Sequence, residues 1–325
     1  MNQRLLSIDL IKIVAMCAVM CLHTQYAFSE ESTLAHFLYV SAVVAIPLFF
    51  TTSGYLMLGR KDISYAYVFR KIYGILRFVT IITIGWYLIF GIRHGESFLW
   101  TTVGSLLQGG SMSVFWYLGA MIIIYALLPF LNRLYNVCYK RFIILTITLF
   151  VVASVIFILN FSNDIHLEQN TIQTFRLWNW LMYFCLGGIF KRWHVSVNWY
   201  IVVGLLGVNY VFQMQLFPYL GTRFCEYFYS SLPAILLSSS VFLFLKNNTS
   251  SWLRYVNWGG KVFLPCYTIH CFLIGRFIGV FKHSFPSCLG IDIQAFCFWV
   301  FICLLSIFLS SLIMKMPFLE KVFKI

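Results

Sequence analysis

Asp9, Lys12 and His23 all fall inside the first of ten long apolar runs in the chain. A charge at the centre of a membrane helix costs about 2.5–3.5 kcal/mol on insertion scales, so such groups usually face a protein interior and often take part in function. Lys12 and His23 are eleven residues apart. On an α-helix that spacing is three turns plus about 20°, with about 16 Å of rise, so both project from one face. That face carries a fixed cation near one membrane surface and an imidazole near the other. Imidazole titrates near neutral pH and suits the acceptance of a proton from a hydroxyl nucleophile. Plainer readings exist for each: His23 as a hydrogen-bonded interior residue, Lys12 as a side chain snorkelling to the surface or pairing with Asp9 one turn earlier.

The element that positions them follows from composition. Hydrophobic residues make up 61% and charged residues 10% of 325 positions, with a mean hydropathy of +0.86. Soluble domains carry about a quarter charged residues. Within lipid only helices and closed barrels satisfy their own backbone hydrogen bonds, and uninterrupted apolar runs of about 18 residues indicate helices. The predicted fold is all-α: a polytopic membrane bundle of about ten transmembrane helices, forming one integral membrane domain over 1–325 with no appended soluble domain. The spans are placed at about 5–28, 37–58, 68–92, 114–131, 142–161, 175–190, 199–217, 229–245, 262–281 and 292–314. The first is too long for a signal-peptide core and lacks a small-residue cleavage site, so it is kept as a mature span. The Gly/Ser/Thr-rich stretch near 93–113 is either a re-entrant segment or a flexible loop.

A net charge of +13 invites a nucleic-acid reading, but the basic residues alternate by loop and make no single patch, so no nucleic-acid partner is expected. Lysine and arginine excess marks cytoplasmic connections. Arg4, the Arg60–Lys71 stretch, Arg133 to Arg141, Lys191 and Arg192, Lys246 to Lys261 and Lys315 to Lys324 fall on one side. The other side holds Arg93, Arg176, Arg223 and Lys282 beside seven acids that include Glu30, Glu31, Glu96, Asp164 and Asp292. Both termini are therefore expected in the cytoplasm. The 10 cysteines show no CxxC pair and no metal-ligand spacing, so no metal is expected. Cys225 and Cys288, both near the outer face, either pair in an oxidising compartment or remain two free thiols.

The second span runs antiparallel to the first and brings Ser53 level with Lys12. Its Phe49-Phe50-Thr51-Thr52-Ser53-Gly54-Tyr55 segment follows the kinking residue Pro47, and its small hydroxylated residues suit either close helix packing or a polar cleft. There is no HExxH and no Gly-x-Ser-x-Gly elbow.

The order of these segments resembles the acyltransferase 3 family of integral membrane acyltransferases. Arg4 and Asp9-Leu10-Ile11-Lys12, ten further residues and His23-Thr24 resemble its opening signature. Phe49 to Leu56 resembles its Phe-Phe-x-x-Ser-Gly-aromatic motif, and Phe115-Trp116-Tyr117-Leu118, with Tyr125 and Pro129, its Trp-aromatic-Leu segment. Tyr183-Phe184-Cys185-Leu186-Gly187-Gly188 and Tyr267-Thr268-Ile269-His270 resemble two later motifs. One departure concerns the paired arginines after the second span, replaced here by a looser cluster of Arg70, Lys71 and Arg77.

The resemblance implies transfer of an acyl group, commonly acetyl, from cytoplasmic acyl-CoA (acetyl-CoA) to a hydroxyl of a cell-surface glycan or lipid-linked sugar among membrane lipids, and the lack of an organellar targeting signal leads to the expectation of a bacterial inner membrane. His23 would be the base and Lys12, positioned by Asp9, part of the same polar stripe. Arg70, Lys71, Arg77 and Ser53 would serve the donor; their plainer reading is positive-inside topology. Trp116 and Tyr117 would meet a sugar face, with Tyr267 and His270 as further members of the cleft or as ordinary packing. The competing readings are a glycan or small-molecule exporter, which inverted repeats with broken helices would favour, and a lipid acyltransferase that differs only in its acceptor.

Overall fold

The computed structural model describes residues 6–91, 97–110, 112–161, 166–221, 223–248, 250–284 and 290–324. Arg4, Arg93, Glu96, Asp164 and Cys288 lie outside the described residues, and with Cys288 lies the question of its pairing to Cys225. Among the described residues the chain is helical and has no strand. In order the helices are α1 (Leu6–Gln25), α2 (Thr33–Ser41), α3 (Ala45–Met57), α4 (Tyr65–Phe90), α5 (Phe98–Leu106), α6 (Trp116–Val137) and α7 (Tyr139–Leu159). They continue as α8 (Leu167–Asn170), α9 (Leu177–Arg192), α10 (Trp199–Leu220), α11 (Leu232–Lys246), α12 (Gly259–Ser284), α13 (Gly290–Ile313) and α14 (Pro317–Phe323).

Among the described residues, eight helical stretches are long and apolar enough to cross a membrane. Two of the expected spans are shorter helices, α9 with 16 residues and α11 with 15, against the roughly 20 needed to cross hydrocarbon perpendicularly. The 93–113 stretch contains α5, whose N-terminus is capped by Ser97 accepting from the Trp100 amide at 3.2 Å. Its Thr101, Gly104, Ser105 and Leu106 are buried, so this is a packed short helix. The second span is broken in two by a 3₁₀ turn at Ala42–Val44. Pro47 explains the break: it has no N–H to give the carbonyl of Val43, and its ring crowds that carbonyl.

The chain divides into two compact units, Met1–Thr52 with Arg192–Met316, and Ser53–Lys191 with Pro317–Ile325. In the first unit α1 lies against α2, α11, α12 and α13. Trp299 donates to the Cys17 carbonyl at 3.0 Å and Gln25 to the Ala295 carbonyl at 2.9 Å, fixing α1 to α13. In the second unit α6 packs on α4, α5 and α7. Glycine permits two close approaches there. A Cβ at Gly54 would collide with the Phe184 carbonyl oxygen, and one at Gly119 with that of Leu106. Gly54 and Phe184 belong to two separate motifs of the sequence, and this backbone contact accounts for the glycine at position 54.

Candidate active site

Asp9 is buried, Lys12 half-buried and His23 exposed in the last turn of α1. α12 crosses close to the Asp9 end, where a Cβ on Gly259 would meet the Ile13 side chain and come within 3.2 Å of the Asp9 carbonyl. At the other end the His23 ring faces His270, centroid to centroid 5.2 Å and tilted 47°. His270 is 1% exposed. Its Nδ1 lies 2.8 Å from the Tyr267 carbonyl and 3.2 Å from that of Cys266. Carbonyls only accept, so Nδ1 carries the proton and Nε2 presents a lone pair. The Cys271 thiol, 3.2 Å from Nε2, donates to it. Tyr267 flanks His270 at 5.9 Å between ring centroids. Beside them Met16, Met20, Phe49, Phe263 and Cys266 close a cleft that has no room for water.

His23, His270 and Tyr267, separated by more than 240 positions in sequence, are thus brought together. Cys271 joins them without having been expected. Adjacent helical residues diverge by about 100°, so spacing gave no reason to pair it with His270. The ligating atoms of His23, His270 and Cys271 lie within 4.8 Å of one another and could hold a soft metal ion, a grouping that cysteine spacing does not reveal.

The second unit holds the remaining expected residues. Ser53 is half-buried and hydrogen-bonds the hydroxyl of buried Tyr117. Trp116 packs against Trp180 with centroids 5.3 Å apart. Of the three expected donor cations, Lys71 turns inward, its Nζ 6.0 Å from the centre of the Tyr67 ring, whereas Arg70 and Arg77 are exposed. Arg60, read from sequence only as a topology marker, shares that ring at 5.3 Å. Its guanidinium grips Asp62 through two bonds of 3.0 and 2.7 Å, holding the Asp62 carboxyl below the usual carboxylate range. The carbonyl end of α3 is clasped nearby. Lys191 Nζ donates to the Leu58 carbonyl at 2.6 Å, and Asn132 bonds Gly59 and Arg60 at 2.8 and 2.9 Å. Unpaired carbonyls at a helix C-terminus favour such cations. A further polar group missed from sequence is the buried set Asn160, Glu168, Gln173 and Asn179, where Asn160 accepts from the Glu168 amide at 3.0 Å.

Eight membrane-length helices with carboxylate, ammonium and imidazole groups on the first of them define an integral membrane protein. The family described as an acyltransferase domain matches residues 5–315, nearly the whole chain. The chain belongs to this family and is a membrane acyltransferase. No curated protein and no solved structure matches it.

Proposed function

We propose that the protein is an O-acyltransferase of a bacterial inner membrane, with both termini cytoplasmic, taking an acetyl group from acetyl-CoA and transferring it to a hydroxyl of an extracytoplasmic glycan. The acceptor hydroxyl gives its proton to His23 as its oxygen attacks the thioester carbonyl. Collapse of the tetrahedral adduct releases CoA thiolate, which takes up the proton. Arg60, Lys71, Arg70 and Arg77 supply cationic donors for the phosphates of the coenzyme. Arginine suits phosphate because its donors form a fixed fork. Asp9 holds Lys12, and Ser53 and Tyr117 line the donor side.

The observation that carries this reading is the exposed imidazole of His23, set 5.2 Å from a histidine whose tautomer is fixed by backbone carbonyls. A base needs access to its substrate, and a neighbour that does not compete for its proton. The test is mass comparison of surface glycan from cells with and without the protein, and with His23→Ala. One acetyl per repeating unit, absent in the variant at equal membrane abundance, is the expected result; an unchanged glycan ends the proposal.

A further inference from the structure

Past His23, α1 ends and the chain turns through a 3₁₀ segment, Tyr26–Phe28, into α2. This corner walls a cavity of about 870 Å³, completed by the last turn of α10 and the residues after it. The walls are held in place. Lys282 donates to the Ala27 carbonyl at 3.0 Å and lies over the Phe28 ring. The Ser32 hydroxyl donates to the Asp292 carboxylate and accepts from the Ala35 amide at 2.9 Å, starting α2. On the far wall α10 ends at Gly221 with φ +61°, a left-handed cap that turns the chain toward Arg223.

The lining is mixed in a way that selects a ligand. Tyr26 is 45% exposed and stacks on Phe224 with ring centroids 5.0 Å apart and 18° between planes, presenting a flat aromatic face. Glu30, Glu31 and Arg223 line the cavity, and none of the three makes an ion pair or side-chain hydrogen bond with a described residue. His36 also lines it, and its Nε2 has no hydrogen-bond partner among the described residues. Two carboxylates against one guanidinium repel a polyanion, so the coenzyme A phosphates do not belong here. The same groups suit a ligand with many hydroxyls: carboxylates accept from them, the guanidinium donates, and an aromatic face covers the apolar side of a ring. The size lies within the range of about 300–1,000 Å³ common for small-ligand sites.

We propose that this cavity is the acceptor subsite and that it binds a neutral or amine-bearing sugar unit in preference to an acidic one. The proposal rests on the reading of glycan acylation above, and Tyr26 lies a single turn beyond His23 along the same rod. Binding is tested apart from catalysis, on full-length His23→Ala protein in nanodiscs titrated with glucosamine dimer, N-acetylglucosamine dimer and galacturonate dimer. The first two should bind, and galacturonate dimer at least about tenfold more weakly. Adding Glu30→Gln with Glu31→Gln, both at exposed positions, should weaken glucosamine dimer about tenfold, the scale of one lost charge-assisted hydrogen bond. Arg223→Ala should weaken the N-acetylated dimer. Equal affinity in these variants at unchanged thermal stability, a preference for galacturonate, or no sugar binding overturns the subsite. Variant-sensitive sugar binding by a protein that transfers no acyl group keeps the subsite and ends the acylation reading. Transfer with an unchanged acceptor KM, when the glutamate and arginine substitutions are made with His23 intact, does the reverse.

Discussion

The unit built on α1 gathers two imidazoles and a thiol, of which one imidazole is exposed and the other is held by backbone carbonyls. The unit built on α6 gathers an arginine and a lysine over a tyrosine ring, with a second lysine on a helix carbonyl end. A neutral imidazole can accept a proton and hand it on, whereas guanidinium and ammonium groups hold anions. In the proposed reading, proton transfer belongs to the first set and donor anchoring to the second.

The strongest way to break that contrast is at His23. His23→Ala should lower acyl transfer by about 10²–10⁴-fold, the usual contribution of a positioned base, with donor binding intact when measured by equilibrium dialysis of labelled acetyl-CoA. A loss of donor binding instead would merge the two roles. Next in size is a packing effect confined to the second unit. Gly54→Ala, whose Cβ meets the Phe184 carbonyl, should cost about 1–3 kcal/mol of stability in detergent unfolding. Gly85→Ala has nothing within 4 Å of the new atom and should stabilise by about 0.5–1 kcal/mol. Equal behaviour of the two would remove the close approach as the reason for the motif glycine.

The cation set predicts a smaller change. Arg60→Gln with Lys71→Gln should raise the donor KM about tenfold, the scale of one charge-assisted bond lost to a phosphate, while leaving the acceptor KM and kcat near wild type. A selective fall in kcat would move these side chains out of anchoring. The smallest effect belongs to Cys271, a positioning residue acting through His270. Cys271→Ala should slow transfer roughly threefold, the worth of a neutral hydrogen bond. Cys271→Ser, which restores a donor to Nε2, should recover the rate; failure of serine to rescue would assign the thiol some other part.

Much of the fold is legible in the chain because membrane spans are written locally. An apolar run of helical length reports its own burial, and all ten expected positions hold helices, although α9 and α11 prove short. The helix α5 escaped because its nine residues are too few to span a membrane and lie in a stretch rich in glycine, serine and threonine; Leu99, Val103 and Leu106 and the cap at Ser97 are its only local signals. Within the candidate site, His23 and His270 are legible from their rarity in apolar surroundings. Arg60 was hidden among the basic residues that every cytoplasmic loop carries. Lys71 could not be told from Arg70 by pattern, because which of them turns to Tyr67 depends on a ring six ångströms away.

By itself the sequence determined that this protein lies in a membrane, that its first helix bears an acid, a cation and an imidazole on defined faces, and that its motifs belong to acyltransferases. Those properties follow from helical periodicity and from the cost of charge in hydrocarbon, which act over one element at a time. Tertiary structure alone decided that His270 and Cys271 meet His23, that Gly54 admits the backbone at Phe184, and that two glutamates and an arginine from turns remote in sequence wall one cavity. Such meetings depend on how helices remote in sequence pack and on which rotamers that packing allows.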